Sequence, residues 1–428
     1  MDASVSPKVL PGTLEADVRG IAGAKYLRPA VATDAICGVQ PSLVVEPGTE
    51  QELAKILKLA NAAGVAVIPR GGGTKLEWGN PASRAEMILS TTRLDRVLEH
   101  AWADMTVTVE AGCTVGKLQE TVAKRGQRLA IDPLWPARAT IGGILSTNDS
   151  GVLRLRFGSL RDLIIGVTIV LPDGTVASSG GKVVKNVAGY DLPKLVTGAL
   201  GTLGVITRAI FRLHPLPKET RAISWSAPDA GEGQRIVLSI QNSKLAHSAL
   251  QVRFGDGKQP QVDVLFEGIE AGLAAQTEQV RTMMQPLTPR EAEREVWNAQ
   301  QEIYRTGRGG RGFVVAKFST LPSRIADTLV SIRGLCPEGV GYAGVVQATG
   351  IGCVRLEGKT EVVSDVARAL RGALGKGDGS FVVRHRPAEL TDFDAWGAAG
   401  DALELMRAVK QQFDPGRILN PGRFVGGI

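Results

Sequence analysis

The sequence predicts an α+β protein of two domains, and three observations predict it. Between residues 40 and 217 short apolar, strand-like runs alternate with helical periodicity and with three separate glycine-rich loops. The stretch His214-Pro-Leu-Pro-Lys-Glu219 then interrupts regular structure with two prolines. From about 218 to 400 a second block alternates strands and helices in the manner of an antiparallel sheet backed by helices, in two similar halves. The expected division is an N-terminal extension at 1–39, a first domain at 40–217, a second α+β domain at 218–400, and a C-terminal helix and segment at 401–428 that returns to the first domain.

In chain order, Pro41-Ser-Leu-Val-Val-Glu-Pro47 reads as a short strand. Thr49 with Glu52 forms a capping box, opening a helix whose apolar face is Leu53, Ile56, Leu57 and Ala60 and which stops at Gly64. The apolar run Val65-Ala-Val-Ile68 then delivers the chain to Pro69-Arg-Gly-Gly-Gly-Thr-Lys-Leu76. Three consecutive glycines suit either a surface turn or a cradle where bare backbone N–H groups meet phosphate oxygens. A dinucleotide-binding Rossmann fingerprint would run straight into a helix here, and Trp78-Gly-Asn-Pro81 interrupts one. Gly112-Cys-Thr-Val-Gly-Lys117 is one residue short of a P-loop and is followed by Leu118 where Ser or Thr should hold magnesium.

The second glycine-rich stretch, Ala139-Thr-Ile-Gly-Gly-Ile-Leu-Ser-Thr-Asn-Asp-Ser-Gly151, suits a large polar ligand or a tight helix packing through Gly142 and Gly143. The third, Gly198-Ala-Leu-Gly-Thr-Leu-Gly204, leads into Val205-Ile-Thr207. Between them, 163–170 and 175–178 flank the hairpin signal Pro172-Asp-Gly174, and 207–213 is a further strand. Three such loops in one block suggest a single long ligand held by backbone contacts. In the second block the expected strands are 222–225, 250–254, 262–266, 313–318, 354–356 and 381–383, with helices near 269–284, 323–334 and 360–375. A last helix carries Leu403, Met406, Val409 and Phe413 on its apolar side.

Composition excludes several classes. With 428 residues and 43% hydrophobic content the chain can bury a large core. No run approaches the roughly 20 apolar residues of a membrane span, and the first residues lack a basic segment followed by an apolar one, so the expectation is a cytoplasmic chain that reaches the inner membrane only through partners. Cys37, Cys113, Cys336 and Cys353 form no C-x-x-C pair, and His100, His214, His247 and His385 are equally dispersed, which leaves little material for a metal site. A net charge of +7 could suit an anionic partner, but aromatic content is only 5%, which argues against nucleic acid. The run Gly307-Arg-Gly-Gly-Arg-Gly312 resembles an RNA-binding element, yet a single copy inside a folded chain reads as a basic loop.

In order along the chain stand PRGGGTKL, ATIGGILSTNDSG, RFGSLRDLIIGVTIVLPDGT, GGKVVKNVAGYDLPKLVTGALGTLGVIT and FDPGRILNPGRF. With these the sequence resembles the FAD-linked oxidases of the vanillyl-alcohol-oxidase type, whose FAD-binding domain is called PCMH-type, and within them the FAD-binding E subunits of bacterial glycolate oxidases. The resemblance implies an α+β chain in which a PCMH-type FAD-binding domain is followed by an α+β cap domain. It implies that Gly71, Gly72, Gly73 and Thr74 hold the FAD pyrophosphate, with Arg70 adding a positive charge or serving the surface. Asp132, Pro133, Ile141, Gly142, Gly143, Thr147, Asn148, Ser150 and Gly151 would line the flavin and its ribityl chain. Gly204, Val205 and Ile206 would receive the adenine end, and Asn420 would lie near the flavin ring. Relatives with covalent flavin often place a histidine in the first loop where this sequence has Thr74, so the expected FAD is non-covalent.

The same resemblance implies oxidation of a small 2-hydroxy acid, with a second flavin subunit as electron donor and an iron–sulfur subunit as companion in a hetero-oligomer. The sequence departs from related dehydrogenases in lacking motifs of the H-G-D-G-N-x-H and G-E-H-G-I-G kind, and Leu200 replaces a family glutamate. Oxidising a hydroxy acid needs a base for the hydroxyl proton and a cation for the carboxylate. The best substitute is Arg384, His385 and Arg386, although alternation along a strand puts the two arginines on one face and the imidazole on the other, as an exposed edge strand would. Lys182, Lys185, Tyr190 and Asp191 form another polar set. An electron-carrying subunit, a self-sufficient FAD-linked oxidoreductase acting on a 2-hydroxy acid or other small alcohol, and a flavin-free scaffold subunit all remain open at this level.

Overall fold

The computed structural model describes residues 12–182, 190–305, 312–375, 379–390 and 393–428. Lys185 and the basic loop up to Arg311 lie outside the described residues. Contacts divide the chain into two units, Met1–Ser150 with Ser159–Leu216 and Ala398–Ile428, and Gly151–Gly158 with Pro217–Gly397. No helix among the described residues is long and apolar enough to cross a membrane.

The first unit holds two main sheets, besides a two-stranded pairing of His214–Pro215 with Gln127–Arg128. The smaller runs Leu27–Pro29, Leu43–Val45, Met87–Ser90, Val67–Arg70, parallel except at its first strand. The larger is antiparallel and runs Val97–Ala101, Thr106–Glu110, Val205–Arg212, Ile164–Val170, Val176–Gly180. The hairpin at Pro172-Asp-Gly174 forms as expected, with Gly174 at φ 86°. The helix Glu50–Ala62 buries Leu53, Ile56, Leu57 and Ala60 completely, each large side chain contributing about 1.5–3 kcal/mol. Its cap differs in one detail from a capping box: Thr49 Oγ1 accepts from the Glu52 N–H, but the Glu52 carboxylate accepts from Gly48 rather than from Thr49. Val170 and Val205 of the larger sheet share a core with Val45, Val67 and Leu89 of the smaller.

The second unit is one eight-stranded antiparallel sheet with helices over one face. Its first half is the strand Glu219–Ser226, helix Ala230–Gln241, strands His247–Gly255 and Lys258–Gly268, helix Glu270–Met283 and the short strand Arg290–Glu291. Its second half repeats that order with Gly312–Ser319, Ile325–Leu335, Gly341–Gln347, Ile351–Gly358, Thr360–Leu374 and Ser380–His385. Within each half the strands lie in the order fourth, first, third, second, and the two second strands pair with each other from Gln251↔Gln347 to Gly255↔Ala343. Absent from the sequence reading, besides the short strand Arg290–Glu291, are a helix and a longer strand. In Ala230–Gln241 the glycines Gly231 and Gly233 dilute the helical pattern, although Asp229 caps it by accepting from the Glu232 N–H. The strand Gly341–Gln347 begins Gly-Tyr-Ala-Gly, and Gly344 is required because a Cβ there would lie 2.2 Å from the Phe254 ring.

Candidate functional site

The three glycine-rich stretches meet in the first unit around a cleft of about 720 Å³, part of it open to solvent. The second stretch is a helix that also lines the cleft. It folds as the helix Ile141–Thr147, capped by Thr140, whose Oγ1 accepts from the Gly143 N–H at 3.3 Å. Gly142 packs on Ala111, where a Cβ would lie 3.0 Å from the alanine methyl, while Gly142, Gly143, Ser146 and Thr147 line the cleft.

The first loop leaves the strand Val67–Arg70 against this helix cap. A Cβ on Gly71 would stand 2.0 Å from Thr140 Oγ1, and one on Gly72 would stand 1.9 Å from Arg138 O, so neither position admits a side chain. Gly73 has φ 70°. The N–H groups of Gly71, Gly72, Gly73 and Thr74 donate to no group among the described residues, and all four residues line the cleft. Four adjacent donors without acceptors at a cleft wall are suited to an anionic oxygen cluster.

The third loop docks onto the same helix, with Gly198 N–H donating to Leu145 O and Leu200 N–H to Ser146 O, both at 2.8 Å. Gly198, Leu200 and Gly201 all take positive φ, which turns the loop tightly enough to present Leu200, Gly201 and Gly204 to the cleft. The C-terminal segment closes the remaining side. Leu419 adds to the small sheet beside Val67, with Val67 N–H donating to Ile418 O at 2.7 Å and Asn420 N–H to Val67 O at 3.0 Å. Lys410, buried on the helix Leu403–Phe413, donates to Asp414 at 2.6 Å, to Thr202 O at 2.7 Å and to Leu419 O at 3.0 Å. Asp414 is fully buried and also accepts from the N–H groups of Ile418 and Leu419. Burial pulls the Lys410 ammonium below its ordinary value, against the attraction of Asp414.

Of the residues expected to meet a cofactor, Arg70 to Thr74, Gly142, Gly143, Thr147, Gly204, Val205, Ile206 and Asn420 line this cleft. Asp132, Pro133, Ile141, Asn148 and Ser150 do not. Ile141 points into the core, and Ser150 Oγ accepts from the Leu160 N–H at 3.0 Å. Gly151 belongs to the other unit. The sequence reading missed Pro69, Lys75, Leu76, Thr91, Thr140, Ser146, Leu200, Gly201 and Arg423, which also line it. All but Thr91 sit inside the quoted motifs, which therefore line more of the cleft than the residues chosen within them. Thr91 follows the strand beside Arg70, and nothing local marks it.

Charges at the cleft are tied down. Arg70 Nη1 lies 2.6 Å from Asp34, which also takes both terminal nitrogens of Arg28. Arg28 first, then Arg70, hold the Asp34 carboxyl far below the usual carboxylate range against the cost of its burial. Lys75 is buried and pairs with Asp149 at 3.1 Å. Arg423 is buried and donates to the carbonyls of Leu76 and Trp78, and burial lowers its pKa. Among the described residues the titratable side chains lining the cleft are thus Arg70, Lys75 and Arg423; the carboxylates of Asp34 and Asp149 pair with the first two but do not line it, and neither does an imidazole.

The catalytic candidates Arg384, His385 and Arg386 belong to the second unit. Their strand is an edge strand, but the alternation argument fails there. Val315 pairs with His385 while Ala316 pairs with Val383, so Arg384 is the extra residue of a β-bulge. Arg384 is buried rather than exposed, and the His385 ring stacks on Phe313 with centroids 4.1 Å apart. In the other polar set Lys182 pairs with Glu99, Asp191 caps the helix Leu192–Val196 and pairs with Lys194, and Tyr190 is exposed. Cys113 is buried and its thiol is pushed up to about 11, the environment of an inert core residue. Among the described residues no group of three or more His, Cys, Asp and Glu side chains could hold a metal.

The family model described as FAD binding domain matches residues 41–180, and the model for the C-terminal domain of FAD linked oxidases matches residues 396–424. Glycolate oxidase subunit GlcD of Bacillus subtilis is 26% identical over 424 residues, spanning 90% of this chain and 88% of its own length. The mitochondrial D-lactate dehydrogenase [cytochrome] of Arabidopsis thaliana is 26% identical over 90% of this chain and 73% of its own, and D-2-hydroxyglutarate dehydrogenase of Xanthomonas citri is 26% identical over 90% and 89%. The glycolate oxidase relative carries the name of the D subunit, whereas the motifs pointed to E subunits. Among solved structures, alkyldihydroxyacetonephosphate synthase superposes with a TM-score of 0.78 at 16% identity over 97% of this chain and 86% of its own. p-Cresol methylhydroxylase superposes with a TM-score of 0.78 at 15% identity over 96% of each chain, and both share the fold. With one match to the FAD binding domain and another to the C-terminal domain of FAD linked oxidases, the chain is an FAD-linked oxidoreductase with FAD as its cofactor.

Proposed function

We propose that the cleft holds FAD non-covalently and that the chain is the FAD-binding subunit of a glycolate oxidase-like complex serving oxidation of a small 2-hydroxy acid. Its partners would be an electron-donor flavin subunit and an iron–sulfur subunit, with the chain in the cytoplasm and at the inner membrane only through them. The observation that carries the cofactor assignment is the run of four undonated N–H groups at Gly71–Thr74. They face a cleft wall from which side chains are excluded at Gly71 and Gly72, and a diphosphate matches both features. Gly142, Gly143 and Thr147 would follow the ribityl chain, and Gly204, Val205 and Ile206 would receive the adenine end. Asn420 would meet the ring system with its buried Oδ1, which has no partner among the described residues. Asp132, Pro133, Ile141, Asn148 and Ser150 would act from behind the wall.

Bound FAD supplies a hydride acceptor. The chain's own part is to donate to the diphosphate, to exclude bulk from the glycine wall and to fix the cofactor's orientation. The 2-hydroxy acid rests on the names of the relatives, which act on glycolate, D-lactate and D-2-hydroxyglutarate. The role of electron carrier is favoured because, among the described residues, no carboxylate or imidazole lines the cleft to remove a hydroxyl proton. The test is turnover of glycolate or D-lactate with a dye acceptor. The purified chain alone should carry flavin but reduce no dye, and co-expression with both the electron-donor flavin subunit and the iron–sulfur subunit should yield a complex that does. Dye reduction by the chain alone would overturn the electron-carrier role in favour of a self-sufficient enzyme.

A further inference from the structure

We propose that the buried pair Lys75–Asp149 is the positioning element of the cofactor cleft, an inference that rests on the cofactor reading above. Lys75 follows the run of undonated N–H groups, and its Nζ lies 3.1 Å from Asp149 Oδ2, 3.4 Å from Leu134 O and 3.4 Å from Thr74 Oγ1. Asp149 Oδ2 in turn accepts from the Leu134 N–H at 2.9 Å. One ion pair therefore touches the first glycine loop, the segment after Pro133 and the segment after the helix Ile141–Thr147. Both side chains are 4% exposed, and the ammonium lies 5.7 Å from the Trp78 ring and 5.6 Å from the Trp135 ring.

A pair this buried adds little stability over apolar side chains of equal volume, because desolvation offsets the attraction. What it does fix is direction: an ammonium with two carbonyl or hydroxyl acceptors and a carboxylate tolerates few arrangements of the segments that supply them. Lys75 also lines the cleft itself. The pair thus sets where the Gly71–Thr74 donors point.

The experiment titrates FAD into apoprotein of the full chain, following quenching of flavin fluorescence, alongside the apoprotein Tm. The variants are Lys75→Met, Asp149→Asn and the double Lys75→Met/Asp149→Leu. Each single variant should weaken FAD binding by about tenfold or more. The double variant, freed of an unpaired buried charge, should recover the apoprotein Tm but not the FAD affinity. A pair that served only folding would let the double variant recover both, and that result overturns the proposal, as would single variants that bind FAD like the wild type. Where a single variant fails to fold, the double variant decides by the same criterion. A wild-type apoprotein that takes up no FAD would instead overturn the cofactor reading, before any variant is compared.

Discussion

Asn420 Nδ2 donates to Leu200 O at 2.5 Å, joining two cleft residues 220 positions apart in the chain. Both have left-handed backbones, φ 46° and 50°, and Gly201 beside them leaves room for the amide, since a Cβ there would lie 3.2 Å from Nδ2. The C-terminal segment is thereby part of the site rather than a tail.

Asn420→Ala removes that bond and leaves the Leu200 carbonyl buried without it. Urea unfolding should show a loss of about 1–3 kcal/mol, and FAD titration should show weaker binding than in the wild type. An unchanged affinity would remove Asn420 from the site.

Gly72→Ala places a methyl at 1.9 Å from a backbone oxygen, which no rotamer relieves. The loop must shift, and the four donors shift with it. FAD affinity should fall by about a hundredfold, the equivalent of some 2.7 kcal/mol, while the apoprotein Tm changes little because the loop is at the cleft surface. Gly12→Ala, with nothing within 4 Å of its Cβ, is the control that should change neither.

Lys410→Met strands the fully buried Asp414 without its cation. Breaking a buried pair from one side costs about 3–5 kcal/mol. Chemical denaturation should report that loss, and Lys410→Met/Asp414→Leu should recover only part of it, because Asp414 also accepts from Ile418 and Leu419.

Asp34 gives a pH signature. Its folded pKa lies below the unfolded value of 3.8, so its contribution is complete above that value and is lost as pH falls from there through the folded pKa. Asp34→Asn should lower stability by about 1–3 kcal/mol near neutral pH, and the gap to the wild type should close only in strong acid. Urea midpoints measured from neutral pH downwards check this; a gap constant down to the lowest pH would contradict it.

Much of the first unit was legible because its signals are local: Thr49 before a 3.6-residue apolar period, Pro172-Asp-Gly174 between two apolar runs, and glycines where the backbone approaches closely. The partners that tune the site were not. Asp34 meets Arg70 across 36 residues and Asp149 meets Lys75 across 74, and no spacing rule links such pairs. Arg384 misled for a different reason, since a bulge adds a residue that cancels the two-residue period on which the facing of its neighbours was argued. The repeated halves of the second unit were visible as a rhythm, but the helix Ala230–Gln241 and the strand Gly341–Gln347 were hidden by glycines that packing requires or tolerates.

The most direct test is the visible spectrum of the purified full-length chain before and after incubation with FAD and gel filtration. A flavin spectrum that co-elutes with the protein, and is released into the supernatant on acid precipitation, is the expected result. A protein that elutes colourless after incubation would contradict the reading of Gly71–Thr74 as a diphosphate cradle.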